Sequence, residues 1–117
     1  MSAPWPPPPD LASIQDLTRA ADPQGLIADG APPDEYDPEE QALFAAIGHL
    51  PTADLLATTI LPILENIWTK SFSLSPEALA SSRPALLSLA KEIERFFGPD
   101  STPRTRTEIL SDTHPNK

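Results

Sequence analysis

The sequence predicts an all-α fold, a small antiparallel bundle of four or five helices with disordered termini. Three observations lead there. Apolar side chains recur at steps of three and four residues through much of residues 10–98, the period of a helix with one buried stripe. The stretches with this period are bracketed by helix-starting Asp, Ser and Pro and by stops of the Gly-Pro kind, as helix boundaries require. No segment alternates apolar and polar residues over a strand's length, and nothing repeats at a fixed interval. Helices of this kind bury their stripes against one another around one core.

The N-terminal residues 1–9 (MSAPWPPPP) are mostly proline, which favours an extended polyproline II path and cannot enter a helix interior. They are expected to be disordered, with Trp5 either docked on the bundle or displayed as a short recognition peptide. Asp10 suits the N-cap of a first helix reaching Ala21, with Leu11, Ile14, Leu17 and Ala21 on one side. Asp22-Pro23 ends it, because the residue before a proline is driven out of the α region.

Residues 22–36 make a long connection containing Gly25, Gly30, Pro32 and Pro33, with Leu26 and Ile27 expected to pin it to the core. Connections of this length are uncommon in compact domains and are often functional. The second helix should open with Asp37 as cap, Pro38 in its first turn, and Glu39 and Glu40 where the helix dipole favours negative charge. Asp37 and Glu40 also have capping-box spacing. Leu43, Phe44, Ile47 and Leu50 are its expected buried face, closed by Gly48 and Pro51.

A third helix is expected after Thr52, whose hydroxyl can cap it. Leu56, Ile60, Ile63 and Ile67 keep the helical spacing, and Leu55, Leu64 and Trp68 widen the stripe. Pro62 inside this pattern predicts a kink or two shorter helices. Ser75-Pro76-Glu77 then starts a short helix through Ala80, which Arg83-Pro84 interrupts or kinks. Leu86, Leu89, Ala90, Ile93 and Phe97 mark the last amphipathic helix, stopped by Gly98-Pro99. Trp68 and Phe72 read as core, whereas one of Phe96 and Phe97 should face outward. Residues 99–117 are expected to form a disordered polar tail in which Ile109 and Leu110 are the apolar pair, leaving residues 10–98 as the folding unit.

Composition narrows the function. The chain of 117 residues lacks cysteine, which removes disulfides, thiolate metal ligands and thiol nucleophiles. Its net charge of −9 is unevenly placed. Residues 10–65 carry Arg19 as their one base, against Asp10, Asp16, Asp22, Asp29, Asp34, Glu35, Asp37, Glu39, Glu40, Asp54 and Glu65. Such a front half repels nucleic-acid phosphates and anionic lipid, so neither is an expected partner, and it attracts a basic protein surface. No stretch approaches the ~18 apolar residues of a spanning helix. The start lacks the basic and apolar regions of a signal peptide. The expectation is a soluble, cytoplasmic protein.

The candidate partner-binding residues are Asp34, Glu35, Tyr36, Asp37, Glu39 and Glu40, with Tyr36 as an aromatic anchor inside a charged rim. Closely spaced carboxylates can hold a hard cation, but the glycine and bidentate-glutamate spacing of a calcium loop is missing, so neither metal nor cofactor is expected. His49 reads as a helix-end residue with no motif-placed partner, and His114 lies in the tail. Arg104 and Arg106 are too few for a nucleic-acid patch. No nucleophile, base and oxyanion donor are linked by a motif, so no enzyme is expected.

The order Asp22-Pro23-x-Gly25-Leu26-Ile27, then Gly30 and Asp34-Glu35-Tyr36-Asp37-Pro38-Glu39, resembles a group of short, uncharacterised bacterial helical proteins. They share this pattern ahead of two or three amphipathic helices. The likeness spans residues 15–97, with Gln24 standing where an apolar residue is common. It implies a small single-domain helical protein without catalytic residues, and some members resemble immunity proteins of toxin systems. The function expected is therefore a small acidic protein-binding module, immunity- or antitoxin-like, masking a basic partner. The alternative is a structural or assembly subunit that self-associates through an apolar helix face.

Overall fold

Four of the five helices described open with a side chain that accepts from a first-turn amide, but these caps differ in range. The computed structural model describes residues 6–111, so the expectations for residues 1–5 and 112–117, Trp5 and His114 among them, lie outside the described residues. Five helices follow one another: α1 (Leu11–Ala21), α2 (Asp37–Ile47), α3 (Ala57–Phe72), α4 (Pro76–Phe97) and α5 (Pro103–Ser111). No strand occurs among the described residues.

Two of the predicted caps are local and form as expected. The Asp10 carboxylate accepts from the Ser13 amide at 3.0 Å, and the Ser75 hydroxyl accepts from the Ala78 amide at 3.1 Å. Each satisfies one of the donors that a helix start leaves open. The other two predicted caps do not form. Asp37 is the first residue of α2 rather than its cap, and its carboxylate turns to the Arg19 guanidinium instead. A 3-10 turn over Pro33–Tyr36 leads into the helix. Thr52 begins a separate 3-10 turn, Thr52–Asp54, and α3 starts only at Ala57. Its cap comes from another helix: the Ala57 amide donates to Glu94 Oε1 of α4 at 2.7 Å.

Of the two outcomes expected at each internal proline, a kink or a break, the break does not occur. α3 runs through Pro62 and α4 through Pro84 as single helices. A proline deprives the carbonyl four residues earlier of its donor. Here both prolines are exposed, and so are Thr58 and Ala80, which carry those carbonyls. Water can take the place of the missing amide.

The core joins Ile14 and Leu17 of α1, Tyr36 ahead of α2, Leu43 and Ile47 of α2, Leu55, the α3 residues Ile60, Leu64 and Trp68, and the α4 run from Leu86 to Phe97. α3 and α4 form the most extensive helix pair, a hairpin turned by Ser73 in the left-handed region (φ 53°). α1 packs on α2 and α4, and α2 on α3, which closes a four-helix ring. Phe44, expected inside, is exposed at 36%, alone among the large hydrophobic side chains of the described residues.

The C-terminal tail is not wholly a tail. Residues 103–111 form α5 against α4, and Ile109 is buried. Thr102 Oγ1 caps it by accepting from the Thr105 amide at 3.1 Å. This helix also explains why Phe96 and Phe97 are both buried, against the expectation that one faces water. The Arg106 guanidinium lies 4.3 Å from the Phe96 ring centre and 4.7 Å from that of Phe97. At the other end, Pro9 is buried and the Pro7 carbonyl accepts from Arg106 at 3.5 Å. The folded unit therefore extends past both expected boundaries, residues 10 and 98.

Candidate functional site

The side chains of the acidic segment before and within α2 separate into two sets. The first set is internal. Tyr36 is fully buried, and its ring lies 6.1 Å from Trp68 and 6.5 Å from Phe72, the latter edge-on, a favourable aromatic arrangement. Its hydroxyl donates to Asp22 Oδ1 at 2.7 Å and accepts from the Gln24 amide at 2.9 Å. Burial, and then the bond to Asp22, push the tyrosine pKa up to about 12. Tyr36 is thus not an exposed anchor, which corrects the expectation drawn from its carboxylate neighbours.

Asp22 does more than end α1. It sits in the left-handed region at φ 46°, which a short polar side chain tolerates better than most. Its two carboxylate oxygens accept from the amides of Ile27 and Ala28 at 3.1 and 2.9 Å. Burial works against the charge, but the hydrogen bonds from Tyr36, Ala28 and Ile27 outweigh it and hold the carboxyl below the usual range. Gly25 and Gly30 supply positive φ values of 69° and 104°, where a Cβ would be strained. Gln24 is tied to α4, since the Ser82 hydroxyl donates to Gln24 Oε1 at 3.0 Å. The Asp-Pro-x-Gly pattern is therefore a folding device that rigidifies residues 22–36.

A second internal contact crosses from α1 to α2. Arg19 donates to both Glu40 oxygens, at 3.1 and 3.2 Å, and to Asp37 Oδ1 at 3.4 Å. The Glu40 side chain is 0% exposed and that of Arg19 30%. Burial raises the Glu40 pKa above the usual carboxylate range despite the guanidinium, while the bond to Glu40 raises that of Arg19. Glu39 is also buried, and its Oε1 has no hydrogen-bond partner among the described residues. Glu39 and Glu40 accordingly leave the list of surface contacts.

The second set remains on the surface. Asp34 and Glu35 are exposed in the turn before α2, and Asp37 is half-buried beside Arg19. Asp16 of α1 adds its field at the same guanidinium. Along α2 the exposed residues are Pro38, Gln41, Ala42, Phe44 and Ala45, with His49 just beyond its end. At a rise of ~1.5 Å per residue, this outward strip places Phe44 roughly 10 Å along the axis from Asp37, where α2 begins. Its chemistry is a carboxylate-bearing end followed by small side chains and one aromatic ring.

The sequence reading missed Arg19 and Asp22 as organisers and Phe44 as the exposed ring. A signal existed for the exchange of aromatic roles. Tyr36, Glu40, Leu43 and Ile47 stand at steps of four, three and four, one helical stripe on which a buried pair disguises the second member.

No group of three or more His, Cys, Asp or Glu side chains among the described residues is arranged to hold a metal ion. No helix among them is long and apolar enough to cross a membrane. No known protein family, curated protein or solved structure matches this chain.

Proposed function

We propose that this chain is a small acidic protein-binding module, immunity- or antitoxin-like, that acts in the cytoplasm by masking a basic protein partner. The contact face is the outward strip of α2 together with the turn before it. The observation that carries the reading is Phe44, a large hydrophobic residue left exposed, on the helix whose leading turn exposes Asp34 and Glu35. An apolar ring about two helical turns from exposed carboxylates suits a partner that presents an aliphatic pocket with Lys or Arg to one side. The ring supplies buried area and the carboxylates supply steering and register.

The braces behind this face support the same reading. Arg19 fixes the start of α2 from below, and Asp22 with Tyr36 fixes the turn. A contact surface held rigid before binding loses less entropy on association.

The test is affinity capture from the native cell with the full chain as bait. The wild type should retain a basic protein, and the retained amount should fall as salt rises. Replacing Asp34 and Glu35 by Lys, and separately Phe44 by Ala, should each abolish capture with the helical circular-dichroism spectrum intact. Capture that survives both changes would remove α2 from the interface. The self-associating alternative predicts instead a dimer whose sedimentation is insensitive to salt and is lost in Phe44→Ala.

A further inference from the structure

α5 is rooted in the bundle differently from the other helices. It has nine residues, fewer than the ~12–15 that an isolated helix needs in water. Ile109 is buried and Leu110 partly so, whereas Pro103, Arg104, Thr107 and Glu108 are exposed. The ring formed by α1 to α4 closes without it.

What holds α5 is a polar clasp on an aromatic platform. Phe96 and Phe97 stand edge-to-face, 4.8 Å apart, and the Arg106 guanidinium covers both rings. Arg106 also donates to the Phe96 carbonyl at 2.6 Å and to the Pro7 carbonyl at 3.5 Å, and the Asp10 charge acts on it. One side chain thus joins the C-terminal helix, the end of α4 and the N-terminal proline segment. In the connection from α4 to α5, Gly98 and Ser101 are buried and joined by a Ser101 amide to Gly98 carbonyl bond of 3.1 Å, while Pro99, Asp100 and Thr102 are exposed.

We propose that α5 is a releasable strap, which undocks and unfolds as a unit while α1 to α4 stay folded, baring the rings of Phe96 and Phe97. The coupling follows from the clasp. Once Arg106 leaves the rings, a helix too short to persist alone loses the contacts that keep it helical. The Pro6–Pro9 segment loses its hold on Arg106 in the same event. The bundle then presents a second apolar face, remote in sequence from α2, whose exposure is controlled by one arginine. Partial openings of this kind are drawn from the least deeply packed elements of a domain.

Native-state amide exchange on the full chain tests this. The amides of α5 should exchange at one common rate, about tenfold or more faster than those of Leu64 and Leu89 in the core. Ile47→Val, which weakens α2 packing, should speed the core amides and leave the α5 rate unchanged, because the strap opens without disturbing α2. Arg106→Ala and Arg106→Lys should both speed α5, since lysine keeps the charge but not the planar stack. If α5 exchanges at the rate of the core, or accelerates together with it in Ile47→Val, the strap does not open separately and the proposal fails. An α5 rate indifferent to Arg106→Lys would equally overturn the role given to the stacked guanidinium.

Discussion

The Tyr36 hydroxyl donates a 2.7 Å hydrogen bond to Asp22 Oδ1, joining the residue that ends α1 to the residue that precedes α2. That bond closes the whole connection between the two helices from inside. It also accounts for the arrangement of charge around it, since Asp22 is spent on Tyr36, Ile27 and Ala28 and leaves Asp29, Asp34 and Glu35 as the exposed acids of the segment.

Removing the hydroxyl alone should therefore cost stability without disturbing the aromatic cluster. Tyr36→Phe leaves the Gln24 amide without its acceptor and takes one donor from the Asp22 carboxylate. A buried group left unsatisfied costs about 1–3 kcal/mol. Thermal unfolding should show a lower Tm for the variant with the circular-dichroism spectrum of the folded state unchanged. A Tm equal to that of the wild type would mean that water satisfies both groups and the brace is dispensable.

The same bond sets a pH signature. In the unfolded chain the tyrosine loses its proton near 10, but in the folded state it holds it to about 12. The unfolded state therefore binds fewer protons across that window, and stability falls as pH rises through it. Asp22 acts oppositely: its depressed pKa contributes stability that is present above 3.8 and lost as pH falls through the folded value. Tyr36 is the chain's one tyrosine, so tyrosinate absorbance in the folded protein reports it directly. Its titration should centre well above that of the denatured chain, and denaturant melts of Tyr36→Phe should lack the alkaline loss that this group causes.

Arg19 and Glu40 make a pair that costs more to break than to replace. Arg19→Ala would leave the Glu40 carboxyl buried opposite no cation, and breaking a buried pair costs about 3–5 kcal/mol. The 30% exposure of the Arg19 side chain places the expected loss toward the lower figure. The double change to Met at both positions should recover most of it, because well-packed apolar side chains often equal a buried ion pair. Glu40 adds a sign to this. Its raised pKa means that its contribution is fully present below 4.5 and lost as pH rises through the folded value. In Arg19→Ala that loss should steepen, so acidification should partly rescue the variant in urea melts. A variant equally unstable at every pH would show that Glu40 does not stay buried once alone.

These outcomes follow the range over which each residue acts, and so does what could be read in advance. The caps at Asp10 and Ser75 bond amides three residues away, within reach of any local pattern. The cap of α3 is Glu94, separated from Ala57 by most of two helices, and no local pattern contains it. The exposed turn at Asp34 and Glu35 was legible as charge. That Tyr36 faces inward depends on Asp22 having taken a left-handed conformation, a property of the folded connection rather than of the acidic segment. α5 escaped for a different reason: its apolar content is a single pair, Ile109 and Leu110, and part of its hold on the bundle is an arginine stacked on Phe96 and Phe97, which a hydrophobic period does not count.

Gly98 provides the last test, at the junction where α3 begins and α4 ends. Its φ of −75° is open to any L residue, so backbone conformation does not require glycine here. Space does. A Cβ at this position would come within 2.5 Å of the Glu94 carbonyl and 2.7 Å of the Leu55 carbonyl. Both are main-chain atoms, one at the end of α4 and one just before α3, and neither can rotate away. Gly98→Ala should therefore force the two helix ends apart, with an expected cost of about 1–3 kcal/mol from overpacking. The movement would also draw the Glu94 carboxylate from the Ala57 amide, which it accepts at 2.7 Å. Amide exchange should register this locally, with Ala57 losing protection by a larger factor than the interior amides of α3. If Ala57 and those amides accelerate equally, the methyl group is absorbed elsewhere and the close approach at Gly98 does not position the cap.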